Sequence, residues 1–362
     1  MSRRVLLAGP LADPRMMAAI GLRPGEAGRR LAGGLHGGRM AGIEAGGWPV
    51  LSAQGAGIMA VPVPATPRLS RYAAVMGLAM VETEAGPLLG VQPGGASEAA
   101  DASGWQGDLA AGIAAELLDA PEDTDPATLA ARLPMIGVWV QSRMRAAAGP
   151  VSGGDLVARR GAGDVLCHDR RTPFAGYFAV ETWDLSHRTH EGGFSARVRR
   201  EGFVMGDAVV VLPWDPQRDR VLLIEQFRFA PALRHDPQPW LLEPIAGRID
   251  AGETVEDAAR REALEEADLR LGRMFPAVNH YPSPGAITEY LHLFVGAADL
   301  PDGSVGIHGL DGEAEDIRGH LVTRARLSRM VRDGQISNGP LAMLSLWLDL
   351  RADEMARELA GS

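Results

Sequence analysis

Gly247-Arg248-Ile249-Asp250-Ala251-Gly252-Glu253-Thr254-Val255-Glu256-Asp257-Ala258-Ala259-Arg260-Arg261-Glu262-Ala263-Leu264-Glu265-Glu266-Ala267-Asp268-Leu269 is the most informative stretch of this chain. Thr254 with Asp257 three residues later forms a capping-box pattern, which predicts a helix from about 255 to 267. At about 100° per residue, Glu262, Glu265 and Glu266 fall within an arc of roughly 100°, while Ala263, Leu264 and Ala267 are expected to face a core. Like charges stacked at these spacings repel by a few tenths of a kcal/mol per pair. A chain that gathers them needs a cation or free water. Hard oxygen ligands with no Cys or His nearby suit Mg²⁺ or Mn²⁺. The competing reading is a solvated acidic helix face.

The surroundings of this helix alternate between extended and helical patterns. Ala208 to Trp214, Val221 to Phe227, Trp240 to Ile245 and Leu291 to Val295 read as strands, and Leu341 to Leu359 as a closing helix. Strands and helices mixed without strict β-α-β alternation predict an α+β fold over a doubly wound sheet. The first half is rich in Gly and Ala, with short apolar runs such as Val5 to Leu7 and Val61 to Val63. Helical patterns follow at Leu109 to Leu118, Ala127 to Leu133 behind Pro126, and Ile136 to Met144. Arg145 to Gly163 is the best linker candidate, so two domains are expected, 1–150 and 151–362, in keeping with a length of 362 residues.

Composition narrows the chemistry. The net charge of −10 argues against general nucleic-acid binding, which draws on a basic surplus. All 36 basic residues are Arg, which excludes lysine Schiff-base chemistry and a Walker-type phosphate loop. A lone Cys167 excludes an internal disulfide and any multi-cysteine metal site. Asp13 and Arg15 interrupt the first apolar run too early for a secretory segment, and no apolar run is long enough to span a membrane. A cytoplasmic protein is the expectation.

The spacing of Gly247, Glu253, Arg261-Glu262 and Glu265-Glu266 matches the Nudix box, and the chain from about 165 to 350 resembles the Nudix hydrolases, which cleave a nucleoside diphosphate linked to another group. Asp268 stands where that family usually has a helix-ending Gly. Asp visits the left-handed conformation more readily than most residues, so a cost of about 1 kcal/mol or less is expected. The resemblance implies an α/β/α sandwich. It also implies that Glu262 and Glu266 hold the metal together with the carbonyl of Ala246, that Glu265 is an auxiliary ligand, and that Arg261 orients the acidic side chains.

Sequence outside the box is similar to bacterial ADP-ribose pyrophosphatases. The likeness lies in Leu223 to Arg228, in Trp240 to Gly247 with Glu243, in Ser283-Pro284-Gly285, and in the acidic stretch Gly306 to Arg318. Arg228 has the fork shape that suits a diphosphate. Glu315 or Glu313, on a glycine-flanked loop, suits a general base that takes a proton from the attacking water. The resemblance adds Glu243, Ser283 and Gly285 to the substrate-binding set and makes Tyr177 an adenine-stacking ring. It makes Arg200 a residue that reaches the ligand of the partner subunit in a homodimer. The expected reaction is Mg²⁺-dependent hydrolysis of ADP-ribose to AMP and ribose 5-phosphate. The alternatives are another conjugate (NADH, FAD or a sugar nucleotide) or a non-catalytic ADP-ribose sensor. His308, His320 and Cys167 are given no chemistry.

Residues 1 to about 100 faintly resemble the γ-glutamylcyclotransferase-like fold, a small β-barrel, through Arg4 to Leu11 and the segment from Asp13 to Ile20. Ala8 and Pro10 replace that family's binding-loop residues, and Met76 stands where its catalytic carboxylate belongs, so a non-catalytic domain is expected. Fusions of this kind resemble a bacterial group labelled tellurite-resistance Nudix proteins, and nothing in these residues accounts for that label.

Overall fold

The computed structural model describes residues 4–23, 27–90, 104–150, 154–308 and 316–361. By contact density the chain divides into two compact units, residues 1–201 with 250–252 and residues 202–249 with 253–362. The compositional boundary near 150 falls just after the second unit-1 long helix described below. Both units mix sheets and helices in the α+β manner.

Unit 1 opens with β1 (Arg4–Ala8), α1 (Pro14–Ile20), β2 (Arg29–Leu31), β3 (Gly34–His36), β4 (Val50–Ser52) and β5 (Ile58–Pro64). It continues with α2 (Pro67–Val75), β6 (Ala79–Thr83) and β7 (Gly86–Gly90). Five of these strands form one sheet in the order β2-β5-β1-β7-β6, with β1 antiparallel to β5 and parallel to β7. Two long helices follow, α3 (Gly107–Asp119) and α4 (Pro126–Ala148). Met16, Met17, Ile20, Tyr72, Leu109, Ile113 and Leu129 close the core among the helices. Met76 is fully buried as well.

Helix α4 corrects a sequence expectation. The pattern predicted a break between Leu133 and Ile136, yet the helix runs through Pro134 without interruption. An interior proline removes one backbone donor and costs roughly 3 kcal/mol. Burial of Leu133, Met135, Ile136, Val138, Trp139 and Val140 around it offsets that loss. A three-stranded sheet follows, order β10-β9-β8, made by β8 (Val165–Ala175), β9 (Ala179–His187) and β10 (Val198–Val204), whose first four residues end unit 1.

Unit 2 is a sandwich. Its sheet is built on β11 (Ala208–Asp215) and β12 (Arg220–Phe227), which the short helix α5 (Phe229–Leu233) follows, joined by β13 (Trp240–Glu243), β14 (Ile245–Arg248), β15 (Met274–Pro276), β16 (Leu291–Ala297), β17 (Ile307–His308) and β18 (Ile317–Thr323). The run from Trp240 to Ile245 was expected to be one strand. It breaks at Pro244: β13 pairs with β12, and β14 crosses to pair with β11. Proline has no N–H to carry a ladder onward, and the break sets Ala246 and Gly247 opposite Val210 and Val209.

Alternation along β11 sorts the two faces. Val209 and Val211 pack with Ala258, Ala259, Ala263 and Ala267 of α6 (Val255–Ala267). Val210, Leu212 and Trp214 pack with Leu341, Leu344 and Leu348 of the closing helix α8 (Gly339–Ala360), which α7 (Arg324–Arg332) precedes. No helix among the described residues is long and apolar enough to cross a membrane.

Candidate active site

Helix α6 begins where the capping residues require. The Thr254 hydroxyl accepts the Asp257 N–H at 3.1 Å, and the helix ends at Asp268 in the left-handed region, φ 46° and ψ 40°. Asp thus does the work of the expected Gly. The core-facing stripe is alanine at 258, 259, 263 and 267, whose small side chains let the helix lie close on β11 and β14. Leu264, expected to face the core, is 48% exposed. It lies about 200° from Glu262, on the far side from the alanines, since positions 258, 259, 263, 266 and 267 already fill the inner face.

That same inner face carries two glutamates to the Ala246–Gly247 peptide. Glu266, only 3% exposed, accepts the Ala246 N–H at 3.1 Å. The Glu262 carboxylate covers Gly247 so closely that a Cβ added there would lie 1.8 Å from its Oε1. Glycine at 247 is therefore a requirement of close approach. Arg261 binds the remaining acids: its Nε and Nη2 donate to Glu253 at 2.9 Å each, and its Nη1 donates to Glu262 at 2.7 Å and Glu265 at 3.0 Å. Nη2 also donates to the Arg248 carbonyl at 2.9 Å. Hydrogen bonding to Glu253, with further attraction from Glu262, holds the Arg261 guanidinium above its usual range. Glu253 was counted from the sequence as a box position but given no role, and here it receives two of the hydrogen bonds from Arg261.

One guanidinium therefore answers three carboxylates, and Glu266 adds a fourth. The donor set is all oxygen, with no thiol or imidazole, which fits a hard divalent cation. Among the described residues no three acidic, His or Cys side chains stand together ready to coordinate an ion, because Arg261 draws the acids to itself.

The second group of expected residues forms a buried hydrogen-bond network. Glu243 is 4% exposed and receives Arg228 through Nε at 2.8 Å and Nη2 at 2.7 Å, both on Oε2. Asn338 donates to its Oε1 at 3.1 Å, and Gln226 lies at 3.4 Å. The Arg228 fork is thus anchored on a carboxylate of its own chain. Asn338 went unnoticed in the sequence; the Asn338-Gly339-Pro340 start of α8, with the Asn capping the Leu341 N–H, was the signal. Burial pushes the carboxyl of Glu289 up, with Arg228 pulling the other way. The His320 Nε2–H donates to the Glu225 carboxylate at 2.9 Å.

Ser283 and Gly285 lie on an exposed turn, where the Ser283 carbonyl accepts the N–H groups of Ala286 and Ile287 and the space beside Gly285 is open. Tyr177 and Arg200 belong to unit 1. Tyr177 is 59% exposed and meets Phe178 edge-on, and the Arg200 guanidinium donates to the Arg199 carbonyl at 2.8 Å. Glu313 and Glu315 lie outside the described residues. On their flanks β17 and β18 pair antiparallel, Ile307 with Arg318 and His308 with Ile317.

Comparison with known proteins agrees with this geometry. The NUDIX domain profile matches residues 205–340. The ADP-ribose pyrophosphatase of Escherichia coli K12 is 44% identical over 200 residues, 55% of this chain and 95% of the relative. That of Haemophilus influenzae is 38% identical over 52% of this chain and 87% of the relative. A GDP-mannose pyrophosphatase of Cronobacter sakazakii is 33% identical over 48% of this chain and 90% of the relative. An acidic helix laid over a glycine strand, and relatives matched across nearly their whole length, lead to one assignment: this chain belongs to the Nudix family of hydrolases.

Proposed function

We propose that the chain hydrolyses the diphosphate of ADP-ribose, giving AMP and ribose 5-phosphate with consumption of one water. The observation that carries this reading is the convergence of Glu262 and Glu266 on the Ala246–Gly247 peptide, all-oxygen chemistry beside a forked arginine. Glu262, Glu266, the Ala246 carbonyl and Glu265 would hold Mg²⁺, or Mn²⁺ in its place. When bound, the ion neutralises charge growing on the diphosphate oxygens. Arg228, held in orientation by Glu243, binds the diphosphate, so Glu243 works through the arginine. Ser283 and Gly285 line the substrate turn. Glu315 or Glu313 accepts a proton from the water whose oxygen bonds to phosphorus as the bridging P–O bond breaks. Arg261 keeps the acidic side chains in place. Tyr177 stacks on the adenine and Arg200 reaches the partner's ligand, in a cytoplasmic homodimer. Residues 1–150 serve as a non-catalytic accessory domain.

The GDP-mannose pyrophosphatase relatives support a second reading, a sugar nucleotide as substrate. Both are tested by incubating the protein and Mg²⁺ with ADP-ribose, NADH, FAD and GDP-mannose. Fastest release of AMP from ADP-ribose is expected. Brisk turnover of GDP-mannose with ADP-ribose left intact moves the assignment to sugar nucleotides, and tight ADP-ribose binding without product under either metal makes the protein a sensor.

A further inference from the structure

The N-cap of α8 holds a carboxylate as well as a helix. Asn338 is half-buried, and its Oδ1 accepts the Leu341 N–H at 2.8 Å. That bond fixes the orientation of the amide and leaves Nδ2 to donate to Glu243 Oε1 at 3.1 Å. Asn, Asp and Ser cap a helix about equally well. Only the amide accepts from the helix with one atom and donates to a carboxylate with the other. An Asp would set like charges against each other, and a Ser hydroxyl ends one bond short of Glu243. The mount is firm, because Leu341, Leu344 and Leu348 of the same helix are fully buried against the sheet.

Glu243 passes this constraint on. Its side chain is 5% exposed on β13, opposite Ile224 of β12, and a carboxylate so placed needs donors on both oxygens. Asn338 serves Oε1. The Nε and Nη2 of Arg228 both reach Oε2, at 2.8 and 2.7 Å, with Gln226 Nε2 at 3.4 Å. Guanidinium and carboxylate pair by preference as a fork, one N–H to each oxygen. Here the two contacts share one oxygen, which turns the guanidinium away from the symmetric fork and sets its direction. The Arg228 side chain keeps 38% of its surface exposed, so the group being aimed is accessible.

We propose that Asn338 is a positioning residue for the diphosphate: by occupying Glu243 Oε1 it fixes the direction in which Arg228 meets the substrate. The inference rests on the reading of Arg228 as the diphosphate-binding residue, and the test separates the two. Asn338→Ser keeps the cap and removes the donor, and Asn338→Asp keeps the cap and replaces the donor by an acceptor. Both are assayed with Mg²⁺ on whichever of ADP-ribose, NADH, FAD and GDP-mannose the wild type cleaves fastest. KM is expected to rise about fivefold in Asn338→Ser and about twentyfold in Asn338→Asp, with kcat changed less than about threefold. In an Arg228→Gln background, Asn338→Ser should change kcat/KM by less than about twofold, since its effect passes through the arginine. Thr323→Ala removes the corresponding cap of α7, on the Arg326 N–H, and should lower Tm while leaving KM unchanged. If the wild type binds ADP-ribose and cleaves nothing, the same cycle is read in Kd. Unchanged KM in both Asn338 variants, an equal KM rise in Thr323→Ala, or the same fold-loss from Asn338→Ser with and without Arg228 overturns this inference and leaves the hydrolase reading standing. A wild type that neither cleaves nor binds any of the four conjugates overturns both.

Discussion

Two arginine–carboxylate clusters in this chain are built from the same side chains and are composed differently. In unit 1, Glu116 and Glu181 face Arg143 and Arg170, two acids against two bases, each acid clasped by both guanidinia. In unit 2, the ion pairs among the described residues join Arg261 to Glu253, Glu262 and Glu265, with Glu266 on the same helix as the last two. A balanced cluster satisfies itself and staples elements together: α3 and α4 to β8 and β9. An acid-rich cluster leaves mutual repulsion that a further cation or free water relieves. On the proposed reading of the Arg261 cluster, imbalance of charge is what sets a site that takes a ligand apart from one that holds the fold.

The comparison breaks most readily at Glu266. Glu266→Gln keeps the hydrogen bond to the Ala246 N–H in shape and removes the charge. Turnover is expected to fall about 100-fold or more, with circular dichroism unchanged. Near-normal turnover would place the surplus acid outside the chemistry. The mirror experiment is Glu181→Gln in unit 1. It leaves Arg143, Arg170 and the Trp183 N–H with a weakened acceptor inside a buried staple, so a stability loss of roughly 2–4 kcal/mol is expected in urea unfolding. Hydrolysis below the transition should be unaffected. A variant that loses activity while retaining stability would erase the distinction between the clusters.

How much of this could be read beforehand depends on how local the determining interaction is. Helix α6 was legible to its ends, because its cap at Thr254 and its left-handed stop at Asp268 lie within the quoted stretch. The inward turn of Glu262 and Glu266 onto the Ala246–Gly247 peptide was not, since helical spacing gathers the glutamates on one arc and the reading set the core on the other. Leu264 was misplaced because an arc drawn from the glutamates does not say which side of them the sheet occupies. The partner switch at Pro244 and the continuity of α4 through Pro134 depend on neighbouring strands and on a surrounding core, and no run of adjacent residues encodes either. The anchoring of Arg228 on Glu243 and the staple of Arg170 on Glu116 join residues 15 and 54 positions apart. Charged residues at such distances have many possible partners in a chain with 36 arginines. Unit 1 was poorly legible for the same reason.

A smaller effect sharpens the comparison at Gly247. Gly247→Ala adds a single methyl group where the Glu262 carboxylate lies, 1.8 Å from Oε1 at its ideal position. The side chain must withdraw, which also disturbs its bond to Arg261. A stability loss of about 1–2 kcal/mol and a fall in turnover of roughly tenfold are expected. Excess Mg²⁺ should recover part of the activity by drawing the displaced carboxylate back. If turnover and stability both match wild type, the close approach of Glu262 to the strand is incidental.

The smallest effect comes from a third, purely structural cluster. Asp184 on β9 receives Arg199 at 2.8 Å and Arg197 at 3.0 Å, and these contacts, the Arg199 bond foremost, bring its carboxyl down to about 2. A carboxyl lowered on folding stabilises the protein above its unfolded value of about 3.9 and loses that contribution as the pH falls. Wild type should therefore show an extra decline in Tm between about pH 4 and pH 2, absent in Asp184→Asn, with the variant slightly less stable at neutral pH. Because the arginines of this cluster are more than half exposed, salt should shrink the difference. The Arg261 cluster is less exposed and should respond less to the same salt, and equal screening of the two would remove the burial argument for the active-site acids.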